Sequence, residues 1–192
     1  FGLTNDQHVY FCAQNLLKVH PDFDPIIAEI LRKDSRGVVL FLSNRDPHLT
    51  RLLQARFEQT MPDVVNRIKF LPRLAETEYL AMMALADVSL DTLHYCGANT
   101  SYDAFAAGTP VVTLPGEFQR GRYTYATYHK MGVTDCIVES PEAYVTLAVA
   151  LGTDLTHRNQ LGQRIRDASA VLFEDRQIVQ ELSDFFERRA MG

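Results

Sequence analysis

A chain that carries ADVSLDTLHYCGANTSYDAFAAGTPVVTLPGE, residues 86–117, has few ways to fold. Val88 to Asp91 is short and apolar, as a buried strand is. Gly97 and its small, polar neighbours let the backbone reverse tightly. Asn99 or Thr100 can then cap a helix, and Thr100-x-x-Asp103 has capping-box spacing. The helix SYDAFAAG stops at Gly108, which suits the left-handed C-cap position. Thr109 to Leu114 follows as a second buried strand, closed by Pro115-Gly116. Strand, glycine turn, helix start and strand together present free backbone N–H groups to a phosphate, and the helix dipole adds to that attraction. An ordinary crossover unit capped for stability alone carries the same pattern. The stretch by itself leaves both readings open.

The rest of the chain repeats the alternation. Val9 to Ala13 predicts a first strand, with Gln14-Asn15-Leu16-Leu17-Lys18 at its carboxyl end, where open α/β sheets place their ligands. Pro25 opens a helix carrying Ile26, Ile27, Ile30 and Leu31 at helical spacing. Val38 to Leu42 is a continuous apolar run, as in a strand covered on both faces. A helix with Leu49, Leu52, Leu53 and Phe57 ends before Pro62. Arg67 to Leu71 is the third strand, and Glu76 to Leu85 is a helix with Tyr79, Leu80, Met83 and Ala84 on its apolar stripe. Beyond the central stretch, Arg120 to Met131 predicts a helix closed by Gly132. Cys136 to Val138 predicts a short sixth strand, and Pro141 opens a helix ending near Gly152. The tail is helical twice over, through Leu161, Ile165, Ala168 and Leu172 and then Ile178, Leu182, Phe185 and Phe186. Such alternation predicts a doubly wound parallel sheet, a Rossmann-like α/β fold with a helical C-terminal extension.

Charge and composition exclude several classes. A length of 192 residues suffices for one buried core, and a net charge of −5 with no basic run argues against a nucleic-acid partner. No apolar segment approaches the roughly 18 residues a membrane span requires. Without a signal-peptide pattern, the cytoplasm is the expected location. The abrupt opening, almost directly into a strand, suggests a piece of a longer protein. Cys12, Cys96 and Cys136 lack metal-ligand spacing and are expected to be buried free thiols. No G-x-G-x-x-G follows the first strand and no G-x-x-x-x-G-K-[ST] occurs, which disfavours a conventional NAD site or an ATPase P-loop.

Four segments carry a family resemblance: FCAQNLLKVHP, RIKFLPRLAETEYLAMMALADVSLDT, CGANTSYDAFAAGTPVVTLPGE and ALGTD. Together they make the chain resemble the C-terminal half of a GT-B glycosyltransferase of the O-linked N-acetylglucosamine transferase family, including bacterial relatives fused to tetratricopeptide repeats. The likeness spans roughly residues 9–154. It implies a Rossmann-like UDP-sugar-binding domain over residues 1–154, with residues 155–192 as its helical extension.

The same resemblance assigns roles. Lys18 matches the lysine that contacts the donor pyrophosphate and stabilises the departing UDP, although an exposed loop lysine occupies such a position equally simply. Asn15 is expected to add an amide contact or else to form an Asx turn. Leu74 is expected to present its backbone to the uracil edge. Tyr79 stands where the animal enzymes have a histidine packed on uracil; a core tyrosine is its alternative. Asn99 and Thr100 match the helix-start pair that receives the diphosphate, after a turn that requires Gly97. Asp103 matches the aspartate that accepts from the ribose hydroxyls, with the capping box as its alternative. Arg122 matches an arginine beyond the P-G-E turn, or makes a surface ion pair. Ala98 stands where the animal enzymes have a histidine, and the loop from Cys12 to Lys18 is one residue shorter.

The implied activity is that of the donor-binding half of an inverting, metal-independent transferase, which moves a sugar from UDP to a protein side chain. UDP-sugar is then a co-substrate, and no cofactor or metal is expected. Asp22-Phe23-Asp24 fits the letters of a D-x-D metal site but precedes a proline-opened helix. The acceptor site and catalytic base belong to the absent N-terminal half; His94 and His129 show no carboxylate spacing and are expected to be surface residues. An inactive Rossmann-like scaffold and a sugar-nucleotide epimerase are the alternatives. The Ile178–Phe186 stripe is expected to lie exposed and to favour self-association.

Overall fold

The computed structural model describes residues 2–190. Its five strands, β1 His8–Cys12, β2 Gly37–Leu42, β3 Ile68–Leu71, β4 Val88–Leu90 and β5 Val111–Val112, form one parallel sheet in the order β3-β2-β1-β4-β5. The chain builds outward from β1 to β3, then crosses back and continues through β4 to β5. Between them run α1 Asp24–Lys33, α2 Pro47–Thr60, α3 Glu76–Leu85 and α4 Asn99–Ala107. The remaining helices are α5 Tyr123–Met131, α6 Pro141–Thr153, α7 Leu155–Ser169 and α8 Arg176–Ala190. The predicted α/β class and doubly wound parallel sheet are the ones observed.

The interiors of β1 and β2 are apolar because helices cover both their faces. Val9, Tyr10, Phe11 and Cys12 are all buried, as are Val38, Val39, Leu40 and Phe41. Phe11 stands opposite Leu40 on one side and Ser89 on the other. Phe41 stacks on Phe70 at 5.4 Å between ring centres and meets Phe57 of α2 at 5.7 Å. Truncating Phe57, which is fully buried, removes about 3–5 kcal/mol of packing.

Local chemistry sets the helix limits. Asp46 caps α2, Ser140 caps α6 and Asp154 caps α7, each accepting a first-turn amide. Gly108 ends α4 at φ 76°, as its position predicts.

Most boundaries fall within a residue of the expectation, and three elements depart further. The strand predicted over 109–114 is only Val111–Val112, because Pro110 has no N–H for the ladder and the Thr109 hydroxyl binds the Met83 carbonyl instead. The sixth strand predicted over 136–138 reduces to a single parallel bridge between Thr113 and Ile137. Cys136 O and Val138 N both bond to Thr113, but Ile137 N is bonded to Thr134 O in a turn and Ser140 starts α6, so the ladder goes no further. The helix predicted from Arg120 begins at Tyr123, after one tight turn over Gln119–Gly121. Gly121 O accepts the Gly116 amide there, which holds the chain in a loop.

The tail matches its expectation in exposure. No residue of α8 is buried, and Ile178, Val179, Leu182, Phe185 and Phe186 are all exposed. All three cysteines are free and buried. No helix among the described residues is long and apolar enough to cross a membrane.

Candidate functional site

The strand order reverses between β1 and β4, and the chain leaves these neighbours in opposite directions. The crevice beyond their carboxyl ends is where doubly wound sheets bind ligands. An open cavity of about 740 Å³ lies there, lined among others by Gln14, Asn15, Leu74, Tyr79, Thr100 and Asp103.

Gln14 joins the two loops. Its Nε2 donates to Thr100 Oγ1 at 2.6 Å, and its Oε1 accepts from Lys18 Nζ at 3.1 Å. Lys18 Nζ also donates to the Cys96 carbonyl at 3.0 Å and lies 4.5 Å from the centre of the Tyr95 ring. Partial burial holds the Lys18 ammonium below the usual lysine range, an effect that the nearby Asp91 carboxylate opposes. Among the described residues none of its contacts is an ion pair, so its charge is available to an anion.

Asp91 shapes the floor of the site. It is 1% exposed and accepts from the Gly97 amide at 2.6 Å and the Thr113 hydroxyl at 2.8 Å. Burial pushes its carboxyl above the usual range, while these donors and Lys18 pull the other way. Gly97 is required by crowding, since a Cβ there would stand 2.7 Å from Gln14 Nε2 and closer still to Ser101 Oγ.

The start of α4 differs from its prediction. The residue before the helix is Ala98, with no side-chain cap, and the Thr100/Asp103 capping box does not form. Thr100 instead receives Gln14, and Asp103 accepts from the Tyr79 hydroxyl at 3.0 Å because α3 packs beside α4. The Asn99 and Thr100 amides therefore make no hydrogen bond among the described residues. A helix N-terminus left open in this way attracts an anion through its amides and dipole.

The structure brings together Lys18, Gly97 and Thr100, and places Asn15, Leu74, Tyr79 and Asp103 around the same cavity. Asn99 stands exposed at the start of α4. Asn15 also forms the alternative Asx turn, accepting the Leu17 amide at 3.0 Å. Tyr79 divides between core and cavity, with its ring 6.4 Å from Phe11 and its hydroxyl on Asp103. Arg122 makes no ion pair among the described residues; it donates to the Gly116 carbonyl at 2.9 Å and lies over the Tyr125 ring.

Gln14 and Asp91 escaped selection on sequence. Gln14 is a polar residue directly after an apolar strand, which is a usable signal; the link to Asp91 closes only in space. His94 lies exposed, as expected, but sequence spacing did not reveal its contact. It has a carboxylate partner, Asp22 Oδ2, 2.8 Å from its Nε2 and 72 positions away in the chain. His129 lies exposed against the Tyr125 ring. Asp24, the other carboxylate of D-x-D, is buried against Arg56 at 2.9 Å and does not face Asp22's partners.

The chain is similar to known proteins in both sequence and fold. It is 28% identical over 185 residues to a Caenorhabditis elegans UDP-N-acetylglucosamine–peptide N-acetylglucosaminyltransferase, covering 93% of this chain and 16% of that protein. It is 29% identical over 176 residues to the probable transferase SPINDLY of Arabidopsis thaliana, covering 88% of this chain and 19% of the other. The chain thus spans under a fifth of the length of either relative. Among solved structures, the K341M mutant of Thermobaculum terrenum O-GlcNAc transferase superimposes with a TM-score of 0.85 at 28% identity, over 97% of this chain and 37% of that one. Sucrose-phosphate synthase from Thermosynechococcus elongatus shares the fold at 16% identity and a TM-score of 0.71, over 98% and 47% of the two chains. The model of glycosyltransferase family 41 matches residues 1–182, nearly the whole Rossmann-like unit and its helical tail, and the chain belongs to that family.

Proposed function

We propose that this chain is the donor-binding half of an inverting, metal-independent glycosyltransferase that moves a sugar, N-acetylglucosamine or a hexose, from UDP to a protein side chain. The observation that carries this reading is the open N-terminus of α4 beside Lys18 at the strand-order switch point. In this reading the diphosphate lies against the Asn99 and Thr100 amides with Lys18 at the β-phosphate. The uridine occupies the cavity toward Leu74, Tyr79 and Asp103.

The chemistry follows from where charge develops. The acceptor oxygen bonds to the anomeric carbon from the face opposite the diphosphate while the bond from that carbon to the phosphate oxygen breaks. The acceptor proton passes to a base in the partner half of the enzyme, and UDP leaves. Negative charge grows on the β-phosphate, so an ammonium and two amides aimed there stabilise the transition state more than the ground state. Gln14 pre-organises this arrangement by holding Lys18 Nζ and Thr100 Oγ1 together.

Calorimetric titration with UDP, against GDP and ADP, tests the reading. Binding selective for UDP and weakened about 10- to 100-fold by Lys18→Ala is expected, the loss of one charge-assisted contact. Binding that ignores the substitution removes Lys18 from the diphosphate. Absence of UDP binding both here and in the full-length enzyme leaves the scaffold reading.

A further inference from the structure

A second cluster lies outside the cavity just described and shares no lining residue with it. His20 follows the β1 loop two residues after Lys18, and His94 sits in the β4 loop two residues before Cys96. The two imidazoles meet edge to face at 4.7 Å between ring centres. Asp22 stands between them, its Oδ2 2.8 Å from His94 Nε2 and 3.3 Å from His20 Nδ1. His94 reaches this position at φ 64°, a left-handed conformation uncommon for a non-glycine residue.

We propose that His20, Asp22 and His94 bind a divalent transition-metal ion of the zinc, nickel or copper class. One donor atom from each residue lies within 4.8 Å of the other two, the three-ligand set that a metal completes with solvent. Neighbouring ligands on zinc, at 2.0–2.2 Å from the ion, are separated by about 2.9–3.4 Å in octahedral to tetrahedral geometry. Of the two separations from Asp22, 3.3 Å lies inside that interval and 2.8 Å just below it, so the carboxylate needs little movement; the two imidazole donors, within 4.8 Å of each other, draw together on the ion. Two imidazoles and one carboxylate favour borderline metals over magnesium or calcium, which select oxygen. His20 Nδ1 also accepts the Asp22 amide at a long 3.2 Å, a contact the metal replaces. The surrounding cavity, about 610 Å³, also holds Glu117, while Arg120 is engaged over the Phe118 ring at 4.8 Å. A bound ion bridges the loop that carries Lys18 to the loop whose Cys96 carbonyl accepts from it. It acts as a clamp between the two halves of the crevice and takes no part in breaking the sugar–phosphate bond.

The test is direct and needs no nucleotide. The 192-residue chain is titrated calorimetrically with Zn²⁺ and with Mg²⁺, and Co²⁺ binding is followed by its visible absorption. One zinc per chain, the bands of a four- or five-coordinate cobalt centre, and a thermal midpoint that rises with zinc are expected. Asp22→Asn and His94→Ala should each weaken zinc binding at least about tenfold, whereas His48→Ala, a histidine on α2, should not. His94→Gly, which also relieves the left-handed backbone, separates a lost ligand from a lost fold. Absence of saturable zinc binding, or binding indifferent to both Asp22→Asn and His94→Gly, overturns the proposal.

Discussion

Two buried carboxylates stand at opposite ends of the same central strands, and they are treated in opposite ways. Asp34, at the amino end, accepts from His8 Nδ1 at 2.7 Å, the Tyr10 hydroxyl at 2.8 Å and the Arg36 amide at 3.1 Å. Nearby, Asp87 accepts the Val9 amide and pairs with Arg158, which also holds two carbonyls of α6. Charge at that end is satisfied inside the chain. Asp91, at the carboxyl end, also has its donors, yet around it Lys18 and two α4 amides lack an anionic partner. Strand direction explains the difference. In a parallel sheet every following helix points its N-terminus toward the carboxyl edge, so unsatisfied donors collect there. One end closes the fold, and the other leaves donors open where the proposed function places the diphosphate.

Substituting the two carboxylates breaks this comparison most forcefully. Asp34→Ala and Asp91→Ala each strand buried donors and should cost about 3 kcal/mol in urea unfolding. UDP binding by the folded protein should survive only Asp34→Ala. Loss of nucleotide binding in Asp34→Ala, or its retention in Asp91→Ala, would erase the distinction between the two ends.

A pair of glycines gives a smaller and sharper contrast. Gly97→Ala drives a methyl into Gln14 and Ser101, whereas a Cβ at Gly116 stands 3.7 Å from its nearest neighbour. UDP affinity should fall about tenfold in the first variant, the equivalent of one weakened hydrogen bond, and stay level in the second.

The pH dependence refines the role of Lys18. Its lowered range means the ammonium loses its proton below the ordinary value of 10.5. If, as proposed, the protonated form holds the phosphate, UDP affinity should decline as pH rises through that lowered range. For stability the sign is reversed. A depressed lysine leaves the native state with fewer protons than the unfolded chain, so this group adds stability as pH rises through the same window. Titrations in Lys18→Ala should lack the alkaline decline; an unchanged profile would assign it to another group.

The smallest effect on stability is expected at α8, which is open like the carboxyl edge but through apolar atoms. Phe186, 60% exposed, changed to Glu should shift unfolding by no more than about 0.5 kcal/mol. The same change should shift sedimentation toward the monomer if the stripe self-associates. A monomer before and after substitution would leave that face to another partner.

The amino-acid sequence by itself determined the alternation, the parallel sheet and the helix stop at Gly108, whereas the crowding that requires Gly97 comes from Gln14 across the fold. The first three follow local rules: an apolar run, a helical period, a left-handed position. Lys18, Thr100 and Asp103 were legible as candidates through the family resemblance of their segments, with which their places after a strand and at a helix start agree. What they touch was not legible. Thr100 and Asp103 have capping-box spacing, yet Gln14 and Tyr79 reach them from other elements and leave the amides open. Pro110 and the Thr109 hydroxyl shortened a strand that composition had made longer. Asp22 found His94 across 72 positions, a distance over which no spacing rule operates. Backbone conformation follows from neighbours in sequence, whereas the partner of a polar side chain follows from neighbours in space, and only tertiary structure decides those.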